Sequence, residues 1–136
     1  MSAEKAIYHL LKSHAPLVAI VPTTRIFPSV IPLGTVLPAI AYSLVSTNED
    51  TSIGLTTLAV SSRIQITVAV KGVNSTAYGA SKNIIKLIKN ACNLKRGIFN
   101  GVVVNSVIRD TESPDFRDDE SEITYNSIDF RVTYQE

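Results

Sequence analysis

The chain has 136 residues, 45% of them hydrophobic and 18% charged, which suits a folded domain with a real core and excludes a disordered chain. A single cysteine, Cys92, excludes an internal disulfide and a multi-cysteine metal site. The net charge of +1 hides a division: residues 1–109 carry eleven Lys/Arg against three Asp/Glu, and residues 110–136 carry two against nine.

The length suits one domain spanning 1–136. No run approaches the ~18 apolar residues of a membrane span. The opening "MSAEKAIYHLLKSHAP" has no basic leader, long apolar centre or small-residue cleavage site, so we read no signal peptide. "NST" at Asn74–Thr76 matches a glycosylation acceptor, which we read as chance.

Ser2 is a plausible N-cap of a first helix, with Glu4 in its first turn. Ala3, Ala6, Ile7, Leu10 and Leu11 give it one apolar face, and Pro16 is expected to end it. "PLVAIV" reads as a short buried turn. "RIF" is a short strand closed by Pro28, and "PSVIPLGTVLP" is a stiff covering segment that blunts a sheet edge. Pro38 opens the strand "AIAYSLVS", in which Ile40, Tyr42 and Leu44 share a face.

"STNEDTSIG" reads as a polar turn. The longest strand signal follows, with Ile64, Ile66, Val68 and Val70 alternating with polar or small residues. That pattern is typical of an antiparallel sheet covered on one side. A second helix is predicted from Ala77 to about Asn93, capped by Ser75 or Thr76. Ala80, Ile84, Leu87, Ile88 and Ala91 are its expected buried face, and Lys82, Lys86 and Lys89 the opposite one. Asn100-Gly101 is a turn that accepts positive φ, leading to a strand over Val102–Arg109. Asp110–Glu122 reads as an acidic loop. The last strand, "EITYNSIDFRVTYQE", changes parity, which predicts a bulge near Asn126–Ser127. The fold class is α+β: a mostly antiparallel sheet of four to five strands with two helices packed on one face.

No catalytic constellation is visible. His9 and His14 are five apart and do not share a helix face for a metal. Cys92 lies beside the apolar helix face and reads as a small buried hydrophobe. "GVNSTAYGASK" resembles a phosphate loop superficially but has the wrong glycine spacing and no Lys directly after Gly79. The acidic run lacks the glycine and ligand spacing of a calcium loop. We therefore expect no enzyme activity, cofactor or metal.

Two charge features stand out, each with a plain and a sharper reading. The acidic run, with Asp110, Glu112, Asp115, Asp118, Asp119, Glu120 and Glu122, is a solvated loop or one flank of a head-to-tail contact with copies of the chain. The Lys82, Lys86, Lys89 stripe is a solvated helix face or, if assembly repeats it, a surface toward DNA.

Several segments in their order carry a resemblance: "AIYHLLKSHAPLVAIVPTTRIFPSVIP", "LPAIAYSLVS", a strand, a helix and a terminal "DFRVTYQE". The chain resembles the tail-completion, or tail-terminator, proteins of long-tailed bacteriophages, in Leu10–Leu11, Pro16–Val21, Arg25–Pro32 and Leu37–Tyr42. The resemblance implies a non-catalytic ring, commonly hexameric, that caps the tail tube, stops its growth and joins it to the head. The implied partners are further copies, the tail tube protein and a head-side neck protein. DNA would pass through without sequence-specific binding, and no membrane is involved. The implied location is the tail-neck junction of the virion, after assembly in the host cytoplasm. Pro28 and Pro32 join the acidic residues as candidate interface positions, and the lysine stripe becomes a candidate lumen surface. Alternatives are another neck component, such as a head-closure or adaptor protein, and a small ligand-binding domain or enzyme without a recognisable motif.

Overall fold

The computed structural model describes residues 2–51, 57–112, 116–118 and 120–135. Helix α1, Ser2–Lys12, buries Ala3, Ala6, Ile7, Leu10 and Leu11, the face its spacing predicts. Ser2 is already helical and does not stand outside as a cap. Pro16 does not simply end this helix. It sits in the first turn of a separate short helix, α2 (Ala15–Val18), where its missing N–H costs nothing. Leu17 and Val21 anchor that turn in the core.

Among the described residues, seven strands form one sheet: β1 Ile26–Pro28, β2 Ala39–Thr51, β3 Thr57–Lys71, β4 Lys95–Phe99, β5 Val102–Glu112, β6 Phe116–Asp118 and β7 Ile123–Gln135. The spatial order is β1-β2-β3-β7-β5-β4, with β6 also on β7. The sheet is therefore larger than the predicted four or five strands, with β4 and β6 the ones not foreseen. Every pairing is antiparallel except that of β1 with β2. Helix α3, Ser75–Cys92, packs with α1 on one face of this sheet. The core between them includes Ile40, Tyr42, Ile64, Ile66, Val68, Ile128, Phe130 and Val132.

The expected bulge at Asn126–Ser127 is absent. Strands β3 and β7 pair without a shift from Val60↔Tyr134 to Lys71↔Ile123. The parity change in the sequence has another cause. Thr124 and Asn126 are polar yet point to the helix side, where both are buried. Thr124 Oγ1 donates to the Gly72 carbonyl at 2.7 Å, and Asn126 Nδ2 donates to Ser81 Oγ at 2.6 Å. Ile123 and Tyr125 then face outward, against a small cavity lined also by Ile31, Pro32, Leu33 and Ala69. The proline-rich segment thus lies over the outer sheet face at that end, and small residues such as Ala39 and Ala69, paired across β2 and β3, are buried there. Arg25 Nη1 donates to the carbonyls of Val36 and Pro38, both at 3.5 Å, and ties the segment to the turn before β1.

Three other expectations are corrected. The first part of "STNEDTSIG" is strand, because β2 continues to Thr51 and pairs with β3 as far as Thr51↔Thr57, and its last three residues lie outside the described residues. The cap of α3 is Asn74, whose Oδ1 accepts from the Ala77 N–H at 2.9 Å, so neither Ser75 nor Thr76 serves. The buried face of α3 is Ala77, Ser81, Ile84, Ile85, Ile88, Ala91 and Cys92. Ala80 is exposed and Leu87 only partly covered. The helix is turned because Ser81, not Ala80, meets Asn126 of the sheet.

Candidate interaction surfaces

The acidic run is not one loop. Its first part is strand: β5 extends through Asp110 and Thr111 to Glu112. Arg109 pairs with Phe130 and Thr111 with Asp129, which leaves Asp110 as the extra residue of a bulge. The bulge sends the two carboxylates to opposite faces. Asp110 Oδ2 lies on the outer face, 3.5 Å from Arg63 Nε and 3.5 Å from Arg131 Nη2. Glu112 lies opposite Ile128 and pairs with Lys89 of α3 and, at 3.6 Å, with Arg109. The Lys89 hydrogen bond holds the Glu112 carboxyl below its ordinary range, with help from the nearby cations against partial burial.

Asp118 makes a local turn. Its Oδ1 accepts from the N–H groups of Glu120 at 3.1 Å and Ser121 at 3.4 Å. Hydrogen bonding from Ser121, by side chain and backbone, lowers its pKa. Glu120 and Glu122 are exposed, and Glu122 has φ of 55° while its carbonyl accepts the Gly72 N–H at 2.6 Å. Asp115 and Asp119 lie outside the described residues. Pro28 ends β1 at the sheet edge, and Pro32 lines the small cavity under the covering segment.

The lysine stripe also divides. Lys82 Nζ reaches Asn126 Oδ1 at 3.3 Å and lies 5.3 Å from the Tyr78 ring centroid. Lys89 is engaged with Glu112. Each follows a buried residue by one position, Ser81 and Ile88, so each stands on the flank of α3 and bends down to the sheet. Lys86 is the exposed member.

Sequence reasoning missed an outer-face cluster. Asp129 is 5% exposed although it sits on the side of the sheet away from the helices. Its Oδ2 accepts from both Nε and Nη2 of Arg63, each at 2.8 Å. Its Oδ1 is buried without a hydrogen-bond partner among the described residues. The alternation of polar residues in "SIDFRV" carried the signal that Asp129 and Arg131 face together, but not that Asp110 would close over them.

Other chemistry is sparse. A cavity of about 420 Å³ opens between the start of α3 and β6, lined by Val73, Asn74, Ser75, Tyr78, Phe116, Arg117 and Thr124. Among the described residues, no carboxylate or histidine lines it. The Cys92 thiol is fully buried, and burial pushes its pKa up to about 12, against a smaller lowering by Lys95. Such a thiol is a packing group, with almost no thiolate at neutral pH. His9 lies against Phe99 with ring centroids 5.9 Å apart. Among the described residues, no three His, Cys, Asp or Glu side chains gather as metal ligands.

Exposed apolar residues are more conspicuous than polar clefts. Val30, Leu33 and Val36 project from the covering segment, with Leu33 fully exposed. Leu44 and Val45 lie bare on β2, and Leu94 and Ile98 at and beside β4.

No protein-family model matches the sequence, and no curated protein does. Among solved structures, the fold is similar to a chain in the virion of a native gene transfer agent particle. The TM-score is 0.70 and the identity 15%, with 96% of this chain and 92% of that chain covered. The two chains share a fold over nearly their whole lengths.

Proposed function

We propose that the chain is a structural protein of a phage-like virion: a tail-completion subunit that forms a ring, commonly hexameric in such proteins, on the end of the tail tube. The ring ends tube growth and gives the head-side neck a surface to join. The observation that carries this reading is the near full-length likeness to a virion chain of a gene transfer agent particle. The ordered segments from Leu10 to Tyr42 that resemble tail terminators support the finer assignment. The role we propose is non-catalytic, and two features are in keeping with it: the buried Asp129 carboxylate is tied to an arginine, and the Cys92 thiol is sealed in the core. Within the ring, the flank of α3 that carries Lys86 is a surface suited to passing DNA, where cations without base-reading geometry attract phosphate at any sequence.

The test is removal of this chain from particle assembly. Tails of uncontrolled length without heads are expected, and purified protein should restore uniform, joinable tails. Normal tails that lack only the head joint would assign the chain to another neck position. Complete particles would overturn the proposal.

A further inference from the structure

Both edges of the sheet are open in complementary ways. On one side, β1 pairs with β2 only at Ile40–Tyr42. Beyond it, the edge of β2 from Ser43 to Thr51 has no strand partner among the described residues. This stretch, "SLVSTNEDT", contains Glu49 and Asp50 and no Lys or Arg. Leu44 is 41% exposed and Val45 52%. On the other side, β4 pairs only with β5 among the described residues, and Lys95, Arg96, Gly97 and Ile98 are exposed. The stretch from Asn93 to Asn100 holds two cations and no carboxylate.

Unpaired strand edges expose N–H and C=O groups that pair readily with another chain. One edge here is acidic and the other basic, and they belong to the same sheet. Strand direction adds a constraint. Each step along β2-β3-β7-β5-β4 is antiparallel. Four reversals leave β2 and β4 running the same way. Copies related by rotation about an axis along the strands would therefore bring β4 of one beside β2 of the next in parallel. The β2 edge already accepts a parallel strand in β1, and the five residues of β4 fit within the free length that follows.

We propose that subunits join head to tail by parallel pairing of β4 on the open edge of β2 in the next copy, continuing the sheet from subunit to subunit. This rests on the ring reading above and specifies its joint. The charges set the choice of partner edge: β4 against β4 would oppose cations, and β2 against β2 would oppose carboxylates. The contact is heterologous, so it can close into a ring.

The experiment uses the full chain carrying Asn48→Cys, Ile98→Cys or both, with native Cys92 retained because it is buried. Each is treated with a short bismaleimide, and oligomeric state is followed by native mass spectrometry. The double variant should give a covalent ladder up to the ring. The two single variants should cross-link only when mixed, and then only as dimers. A K95E/R96E variant should need at least about tenfold more protein to assemble, and that difference should shrink in high salt. Oligomers without cross-links between positions 48 and 98 would overturn the edge pairing and leave the ring reading intact. Self-cross-linking of either single variant would replace it with a symmetric dimer. Monomers alone, at the highest soluble concentration and on tail tubes, would sink both.

Discussion

Asp129 takes both hydrogen bonds from Arg63 on one oxygen, Oδ2, and leaves Oδ1 buried and unmatched. The pair bridges neighbouring strands β3 and β7 on the outer face, where Asp110 adds a second carboxylate to the same guanidinium. Asp129 is almost wholly buried, whereas the Arg63 side chain is 37% exposed, so the pair falls between the surface and interior cases. Asp129→Ala should lower stability by about 1–3 kcal/mol in urea unfolding. Asp129→Asn, which keeps the shape, should cost less. No change in either would mean that the cluster contributes nothing net.

Ser81 and Asn126 join α3 to the sheet through a buried hydrogen bond of 2.6 Å. Ser81→Ala leaves a buried amide short of a partner, and a loss of about 1–3 kcal/mol is expected. Combining it with Asn126→Val removes both halves and should restore much of the loss. A double-mutant cycle measures the recovery.

Glu112 has its pKa lowered in the folded chain, chiefly by Lys89. The stabilisation is present above the unfolded carboxylate pKa and is lost as pH falls through the lower folded value. Glu112→Gln should flatten the stability curve across the acid range just below the usual carboxylate pKa and leave its shape above pH 7 unchanged. The pair is part exposed, so the effect should be about 0.5 kcal/mol. An acid limb identical in both proteins would show that the pair has no net effect.

The same pair separates the lysines. Lys86→Glu should stay within about 0.5 kcal/mol of the parent, as exposed substitutions usually do. Lys89→Glu places a carboxylate against Glu112 and should cost about 1 kcal/mol more, a difference that should shrink in high salt. Equal melting temperatures for the two variants would contradict the geometry.

Cys92 offers a probe of opening. Its buried thiol should react with a disulfide reagent only when the core opens, at a rate that tracks unfolding. Rapid labelling in the absence of denaturant would show that the base of α3 opens locally.

The legible parts of the fold are those with a single reason for their residue types. Ile64, Ile66, Val68 and Val70 alternate because the helices cover one face of β3 throughout, while the other face is covered only at its Ala69 end. Thr124 and Asn126 hid the true register of β7 because local hydrogen bonds, rather than apolar packing, satisfy them beneath α3. Ala80 and Ser81 are both small, so composition could not tell which faced the sheet. β4 was missed because "KRGIF" has two cations and a glycine in five residues. Its strand form depends on β5, a tertiary cause that local pattern does not carry. The bulge at Asp110 was also hidden, since the apolar pattern stops at Ile108 before the strand does.

The unbroken register between β3 and β7 has an evolutionary corollary. Twelve consecutive residue pairs leave no spare position at which an added or deleted amino acid could be absorbed. A one-residue length change there would turn Ile64 or Phe130 inside out, along with every neighbour on its strand. The ladders of β2 and β5 already contain irregularities near Val45, Asn105 and Asp110. Length variation among related chains should therefore collect in those strands and at the hairpin ends, while the β3–β7 pair keeps its count.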